Sequence, residues 1–320
     1  MIFSDLSTEK IIEIYEKLKP YVIKTPLIKA NQELNKFFNT TLYFKCEFFQ
    51  KSGSFKARGA INNILSLNKE KLSKGITAIS AGNHGIAVSF VANLFNLKNK
   101  IFLYESANEY KKKICQNLNA ILIYTNPDEG FKNAKLAEDE GYYFIHPFDG
   151  KYTLQGTASL GYEISKQINN IDNVIISVGG GGLISGVGCI LKQINPKINV
   201  IGVEPEGAKG MYDSLKLGRP LKKVNTNSIA DSLCSPLHMP YSFSISQKVI
   251  DEIVTVSDNE MIHFMKYAFY KLKLFLEPAC VCGLAALKNK LANRLINQKT
   301  LVILCGSNID SRTWINLTKI

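Results

Sequence analysis

Ser52-Gly53-Ser54-Phe55-Lys56-Ala57-Arg58-Gly59-Ala60 places one lysine inside a run of small residues, just after the apolar-rich segment 42–49. An ammonium group is costly to bury alone, so most lysines stay in water. A lysine framed by Gly, Ser and Ala, with a Phe beside it, reads as placed rather than solvated. Desolvation lowers a lysine pKa, and the neutral amine is the form that condenses with a carbonyl. Lys56 is therefore a candidate Schiff-base lysine. Taken alone, the same stretch also fits a surface lysine at a helix start. The rest of the chain decides between the two.

Three loops weigh on that choice. Ser80-Ala81-Gly82-Asn83-His84-Gly85 follows the apolar run 76–79 and precedes a helical-looking stretch, so it reads as strand, tight turn and helix start. Such a turn aims backbone N–H groups and a capping side chain at one point, which suits a carboxylate. Gly179-Gly180-Gly181-Gly182 follows the buried-strand run 174–178 and precedes Leu183-Ile184-Ser185-Gly186, a pattern that suits a phosphate at a helix N-terminus. Leu304-Cys305-Gly306-Ser307-Asn308 closes a third strand-like run. The glycines spell neither G-x-G-x-x-G nor G-x-x-x-x-G-K-[ST], which argues against a dinucleotide or P-loop site. An amine for an aldehyde, with separate N–H donors for a phosphate, points to pyridoxal 5'-phosphate.

The chain resembles the fold-type II pyridoxal-phosphate enzymes, in the serine/threonine dehydratase and serine racemase group. The resemblance runs from Thr25-Pro26-Leu27 to Ser307-Asn308. It is carried by Gly53-Ser54-Phe55-Lys56-x-Arg58-Gly59-Ala60, Ser80-x-Gly82-Asn83-His84, His146-Pro147-Phe148-Asp149, Gln155-Gly156-Thr157, the glycine loop, Val203-Glu204-Pro205, Ile229-Ala230-Asp231 and Glu277-Pro278-Ala279. It implies an α/β, tryptophan synthase β-like fold of mostly parallel sheets flanked by helices. The large cofactor domain is expected over 1–72 and 148–320, with a small domain inserted over 73–147 and the active site in the cleft between them.

The resemblance also implies roles. Lys56 binds the cofactor aldehyde and then acts as base on the substrate Cα–H. Phe55 packs on the pyridine ring, Gly179, Gly180, Gly181, Gly182 and Leu183 hold the phosphate, and Asn83 bonds the ring oxygen. Glu277 orients the site. Cys305 stands beside the pyridine nitrogen, where a thiol is a poor proton source. This leaves the ring a weaker electron sink and favours elimination over a long-lived carbanion. Ser80, Ala81, Gly82, Asn83 and His84 cradle the substrate carboxylate, and His146 reads as structural.

Composition bounds the remaining choices. At 320 residues, with 46% apolar and 21% charged side chains, the chain suits an ordinary globular protein. No apolar run reaches bilayer length, no signal-peptide layout is present, and seven irregularly spaced cysteines suggest reduced thiols in the cytoplasm. The net charge of +12 is spread over scattered lysines. Lys111-Lys112-Lys113 is the tight cluster, and it reads as solvated surface rather than a nucleic-acid footprint. Strand-like runs at 42–46, 76–80, 100–104, 121–124, 142–145, 174–178, 199–203 and 301–304 alternate with helical stretches. Helices are expected near 57–67, 84–95, 109–118, 130–140, 157–169, 183–193, 258–273 and 279–296.

Departures from the group narrow the activity. Racemases of the group carry a proton-bearing serine where this chain has Ala81, so racemisation is disfavoured. Ile86 replaces a common Gln. Metal-binding relatives place a Glu, a carbonyl and an Asp where this chain has Glu204, Ala208 and Gly210, so no metal is expected. The chain stops soon after Asn308, so no regulatory domain of the biosynthetic threonine dehydratase kind is expected. The expected activity is an ammonia-lyase on L-threonine or L-serine, with a homodimer implied by the family and a small amino acid as sole partner. The alternatives are an amino-acid racemase and a 3-hydroxyaspartate dehydratase. A cofactor-binding protein without catalysis is a further reading, against which the intact Lys56, Asn83 and glycine loop argue.

Overall fold

The structure is a computed structural model that describes residues 4–320, apart from Ala81, Ser106 and the side chains of Pro127 and Asp128. Ten strands lie among the described residues: β1 (Leu27–Lys29), β2 (Thr41–Cys46), β3 (Ile76–Ser80), β4 (Asn99–Tyr104), β5 (Ile121–Thr125), β6 (Tyr143–Phe144), β7 (Asn173–Ser177), β8 (Asn199–Pro205), β9 (Glu252–Val256) and β10 (Lys299–Leu304). They form a six-stranded sheet, β1-β2-β10-β7-β8-β9, and a four-stranded sheet, β5-β4-β3-β6. Every pairing is parallel except β1 with β2. This is the α/β architecture the alternation predicts. Parallel strands need crossovers, and the crossover helices cover both faces. Accordingly β7 is buried along its whole length, and its Val174, Ile175 and Ile176 sit in the larger core.

Two strands escape the sequence pattern. β1 is largely exposed and β9 mostly half-buried. Both are edge strands, whose outer side faces water and whose apolar periodicity is correspondingly weak. Helices at Thr8–Leu18, Gln32–Phe38, Gly210–Leu217, Pro240–Val249 and Ser311–Thr318 were likewise not expected. The helix expected near 157–169 runs instead from Lys151 to Gln167. Gly156 lies inside it, where an added Cβ would come within 2.5 Å of the Gly59 Cα. That glycine marks a close helix–helix crossing rather than a helix boundary.

The topology assembles the three loops. β10 inserts between β2 and β7, with Leu301 opposite both Tyr43 and Val174. The segments leaving β2, β7 and β10 therefore emerge side by side at the carboxyl edge of one sheet, where ligands of open α/β sheets bind. Ser54 bridges Gly306, and the Phe55 N–H donates to the Cys305 carbonyl at 3.1 Å. The fourth segment, after β3, comes from the other sheet. The smaller core, which includes Ile61, Ile76, Ala87 and Cys189, runs continuously between the two sheets. We propose domain boundaries near 73 and 147, where the chain passes from one sheet to the other.

Candidate functional site

Lys56 opens the helix Lys56–Leu65. Its side chain is half-buried and lines a pocket, and desolvation lowers its pKa to about 8. The Nζ donates to the Pro147 carbonyl at 2.5 Å and lies 5.1 Å from the Phe55 ring centroid. No carboxylate contacts this amine among the described residues, so no ion pair offsets the desolvation.

One side of Lys56 faces the glycine loop. A pocket there is lined by Phe55, Lys56, Asn83, Gly179–Leu183 and Cys305. The loop ends at the helix Gly182–Ile194, whose cap Gly181 has φ +94° and offers no side-chain acceptor. The first N–H groups of the helix thus keep their donor capacity for a ligand. A Cβ at Gly180 would enter the Phe148 ring, and one at Gly182 would lie 2.7 Å from the Phe148 carbonyl oxygen. The Thr157 hydroxyl donates to the Gly182 carbonyl at 2.9 Å and steadies the turn. A lysine that gives up its proton more readily than usual, beside a helix N-terminus without a side-chain cap, is the donor set that pyridoxal phosphate requires, so the residues fit that cofactor.

The other side of Lys56 faces the turn after β3. Ser80, Gly82, Asn83 and His84 line a second pocket together with Lys56. The Gly82 N–H donates to the Ser80 hydroxyl at 2.9 Å, and the helix Asn83–Leu94 starts there without a side-chain cap. Ala81, expected in this cradle, lies outside the described residues. The His84 Nε2 pairs with the Ile145 carbonyl at 2.8 Å, and burial pushes its pKa down to about 3, so the ring is neutral. His146 is half-buried, desolvation lowers its pKa to about 3 so that it is neutral too, and its Nδ1 accepts the Asp149 N–H at 3.0 Å.

Asn83 joins the two halves. Its Nδ2 donates to Glu277 at 2.6 Å and to Ser232 at 3.2 Å, and its Oδ1 accepts from Asn308 at 2.9 Å. Glu277 is buried, and desolvation raises its pKa against the opposing pull of Lys111. Lys111 corrects the sequence reading of the lysine cluster. It is 3% exposed, and its Nζ lies 2.7 Å from Asp231 and 3.5 Å from Glu277. A Cβ at Gly82 would lie 2.9 Å from that Nζ, so this glycine makes room for the cation. Lys112 is also largely buried, under the Tyr124 ring. No local pattern marks Lys111, because its two carboxylates lie more than a hundred residues away in sequence.

Behind the lysine helix sits a second buried ion network. Arg58 bonds both oxygens of Glu47 at 2.8 Å and reaches Glu163 at 3.1 Å, while Lys45 meets Glu163 at 2.6 Å. All four residues are at most 1% exposed. Glu204 is buried as well and accepts the N–H groups of Met211 and Tyr212 at 2.8 Å, so its carboxylate caps the helix Gly210–Leu217. At Gly210 a Cβ would meet the His238 Nε2 at 2.5 Å. Cys305 is buried, and its Sγ lies 3.8 Å from the Ala279 carbonyl. All seven cysteines are free. No helix among the described residues is long and apolar enough to cross a membrane.

A family model described as pyridoxal-phosphate dependent enzyme matches residues 18–306. A phenylserine dehydratase of Ralstonia pickettii is 38% identical over 300 residues, covering 93% of this chain and 92% of the relative. A serine racemase of Dictyostelium discoideum is 36% identical over 319 residues, covering 95% of each. The solved structure of maize serine racemase superposes with a TM-score of 0.91 at 31% identity, covering 98% of each chain.

Proposed function

This chain belongs to the pyridoxal-phosphate-dependent enzyme family, and from that premise we propose that it is an ammonia-lyase of β-hydroxy-L-amino acids, L-threonine and L-serine among them. The observation that carries the reading is the desolvated amine of Lys56, set between a phosphate-type glycine loop and a carboxylate-type turn.

When bound, pyridoxal phosphate supplies an aldehyde that condenses with amines and a ring that draws electrons from the adjoining carbon. The Nζ of Lys56 would hold the cofactor through its aldehyde and, once free, is the group placed to take the proton from the substrate Cα. The Ser80–His84 turn fixes the substrate carboxylate, which leaves the Cα–H facing the lysine. Asn83, held by Glu277 and Asn308, sets the tilt of the ring. The β-hydroxyl departs as water, taking up in net the proton lost from Cα, and the enamine acid that is released takes water back. The balance is one amino acid to one 2-oxo acid and one ammonia. Ala81 carries no exchangeable proton where racemases of the group have a serine, and this supports elimination over racemisation. We place the enzyme in the cytoplasm as a homodimer.

The test is to load the purified protein with pyridoxal phosphate and supply L-threonine, L-serine and D-serine. Oxo acid, ammonia and product chirality are scored together. Oxo acid from an L-hydroxy amino acid without its enantiomer is the expected result, and enantiomer without oxo acid would make the enzyme a racemase. Lys56→Ala should abolish turnover and the cofactor's yellow absorbance. Retention of both would sink the assignment.

A further inference from the structure

The pocket between Lys56 and the Ser80–His84 turn has two unlike walls. The segment 231–236 supplies Asp231, Ser232 and Ser235. Ile79, Tyr104, Phe131, Pro147 and Phe148 supply the other wall, which is apolar. Ile79 and Tyr104 end adjacent strands of the four-stranded sheet, and Phe131 stands on the helix Pro127–Asp139 that covers them. These three belong to one apolar cluster with Phe102 and Tyr142. The wall is also aromatic in depth. The Phe131 ring lies 5.7 Å from that of His146, which meets Phe148 edge-on at 4.6 Å. Gly130 lets the strand residues approach, because a Cβ there would enter the Ile79 side chain and lie 3.4 Å from the Tyr104 ring.

This wall makes poor use of a serine, whose β-carbon bears only hydrogens beside the hydroxyl. It also suits an acidic side chain badly. The nearby imidazoles of His84 and His146 are neutral, Asp231 is an acid, and the Lys111 ammonium is already shared by Asp231 and Glu277. An aryl group, by contrast, can lie against Phe131 and Tyr104 in stacked or edge-on contact. Resting on the lyase reading above, the geometry points to a β-hydroxy-L-amino acid with a large apolar, aryl-sized β-substituent as the preferred substrate, with Phe131 and Tyr104 as the residues that select it.

Binding and turnover test this separately. L-phenylalanine, L-alanine and L-aspartate have no β-hydroxyl to expel, so titrating each into the loaded enzyme and following the cofactor's absorbance ranks the pocket without the elimination. L-phenylalanine should bind roughly tenfold or more tighter than L-alanine, from the apolar area it buries, and L-aspartate should bind weakest. In turnover, L-threo-phenylserine should exceed L-threonine, L-serine and L-threo-3-hydroxyaspartate in kcat/KM. Phe131→Ala should lower the phenylserine-to-serine ratio of kcat/KM by about tenfold or more. Phe131→Leu, which keeps most of the volume, should fall between, and it serves if the alanine variant fails to load. L-alanine binding as tightly as L-phenylalanine, or an unchanged ratio in both variants, would overturn the inference and leave the lyase intact. Tight L-phenylalanine binding with no oxo acid from any hydroxy amino acid would uphold the pocket and overturn the lyase.

Discussion

Lys56 owes its chemistry to what does not surround it. Burial lowers its pKa to about 8, and among the described residues no carboxylate contacts the amine to restore it. The neutral form grows as pH rises toward that value and predominates above it. Apo-enzyme should therefore capture pyridoxal phosphate faster as pH rises, by about tenfold per unit below pH 8 and then levelling. Stopped-flow absorbance measures this, and a flat rate from about pH 6 to 9 would mean that the amine is solvated. The candidates on the loops after β3, β7 and β10 were legible from the residues alone, because turn glycines and a lysine in small-residue company are local signals. Lys111 was not legible. Its burial depends on Asp231 and Glu277, which reach it only after folding.

At the scale of elements, the helix Lys56–Leu65 is held by charge as well as by packing. Arg58 points back into Glu47 and Glu163 while Lys56, two residues earlier, faces the pocket. Two cations and two carboxylates share this buried site, so it is neutral overall. Removing one member leaves a buried charge without its partner, which typically costs ~3–5 kcal/mol. Arg58→Leu should lower unfolding stability by about that amount in denaturant titration. A loss under about 1 kcal/mol would show that Glu47 and Glu163 take up a proton or water cheaply. Alternation of apolar runs located the central strands, since those are buried on both faces. The edge strands β1 and β9 lack that signal. The helix expected near 157–169 begins earlier, at Lys151, and its Gly156 packs tightly against the Lys56 helix.

For the whole molecule, Lys111 ties the two sheets together across the site. Its helix, Glu109–Asn117, follows β4, whereas Asp231 and Glu277 belong to segments flanking the six-stranded sheet. The ammonium opposes the desolvation that raises the Glu277 pKa. In Lys111→Met that opposition is lost and the carboxyl is protonated at higher pH still. Activity should then fall on acidification at a higher pH than in the parent, with kcat/KM down roughly tenfold or more. Lys111→Arg should restore the acid limb of the profile. An unshifted limb in the methionine variant would reduce Lys111 to a packing role.

The sequence by itself determined the α/β class, the cofactor and the positions of Lys56, the glycine loop and the turn after β3. Each rests on interactions among residues close along the chain: a strand period, a turn glycine, a helix start. Only the tertiary structure decided which charges are buried together and what faces the substrate side chain. Glu277 meets Lys111, Arg58 meets Glu163, and Phe131 comes to line the same pocket as Lys56 because separate elements converge. Desolvation and apolar contact are properties of that convergence, and no local pattern of residues encodes them.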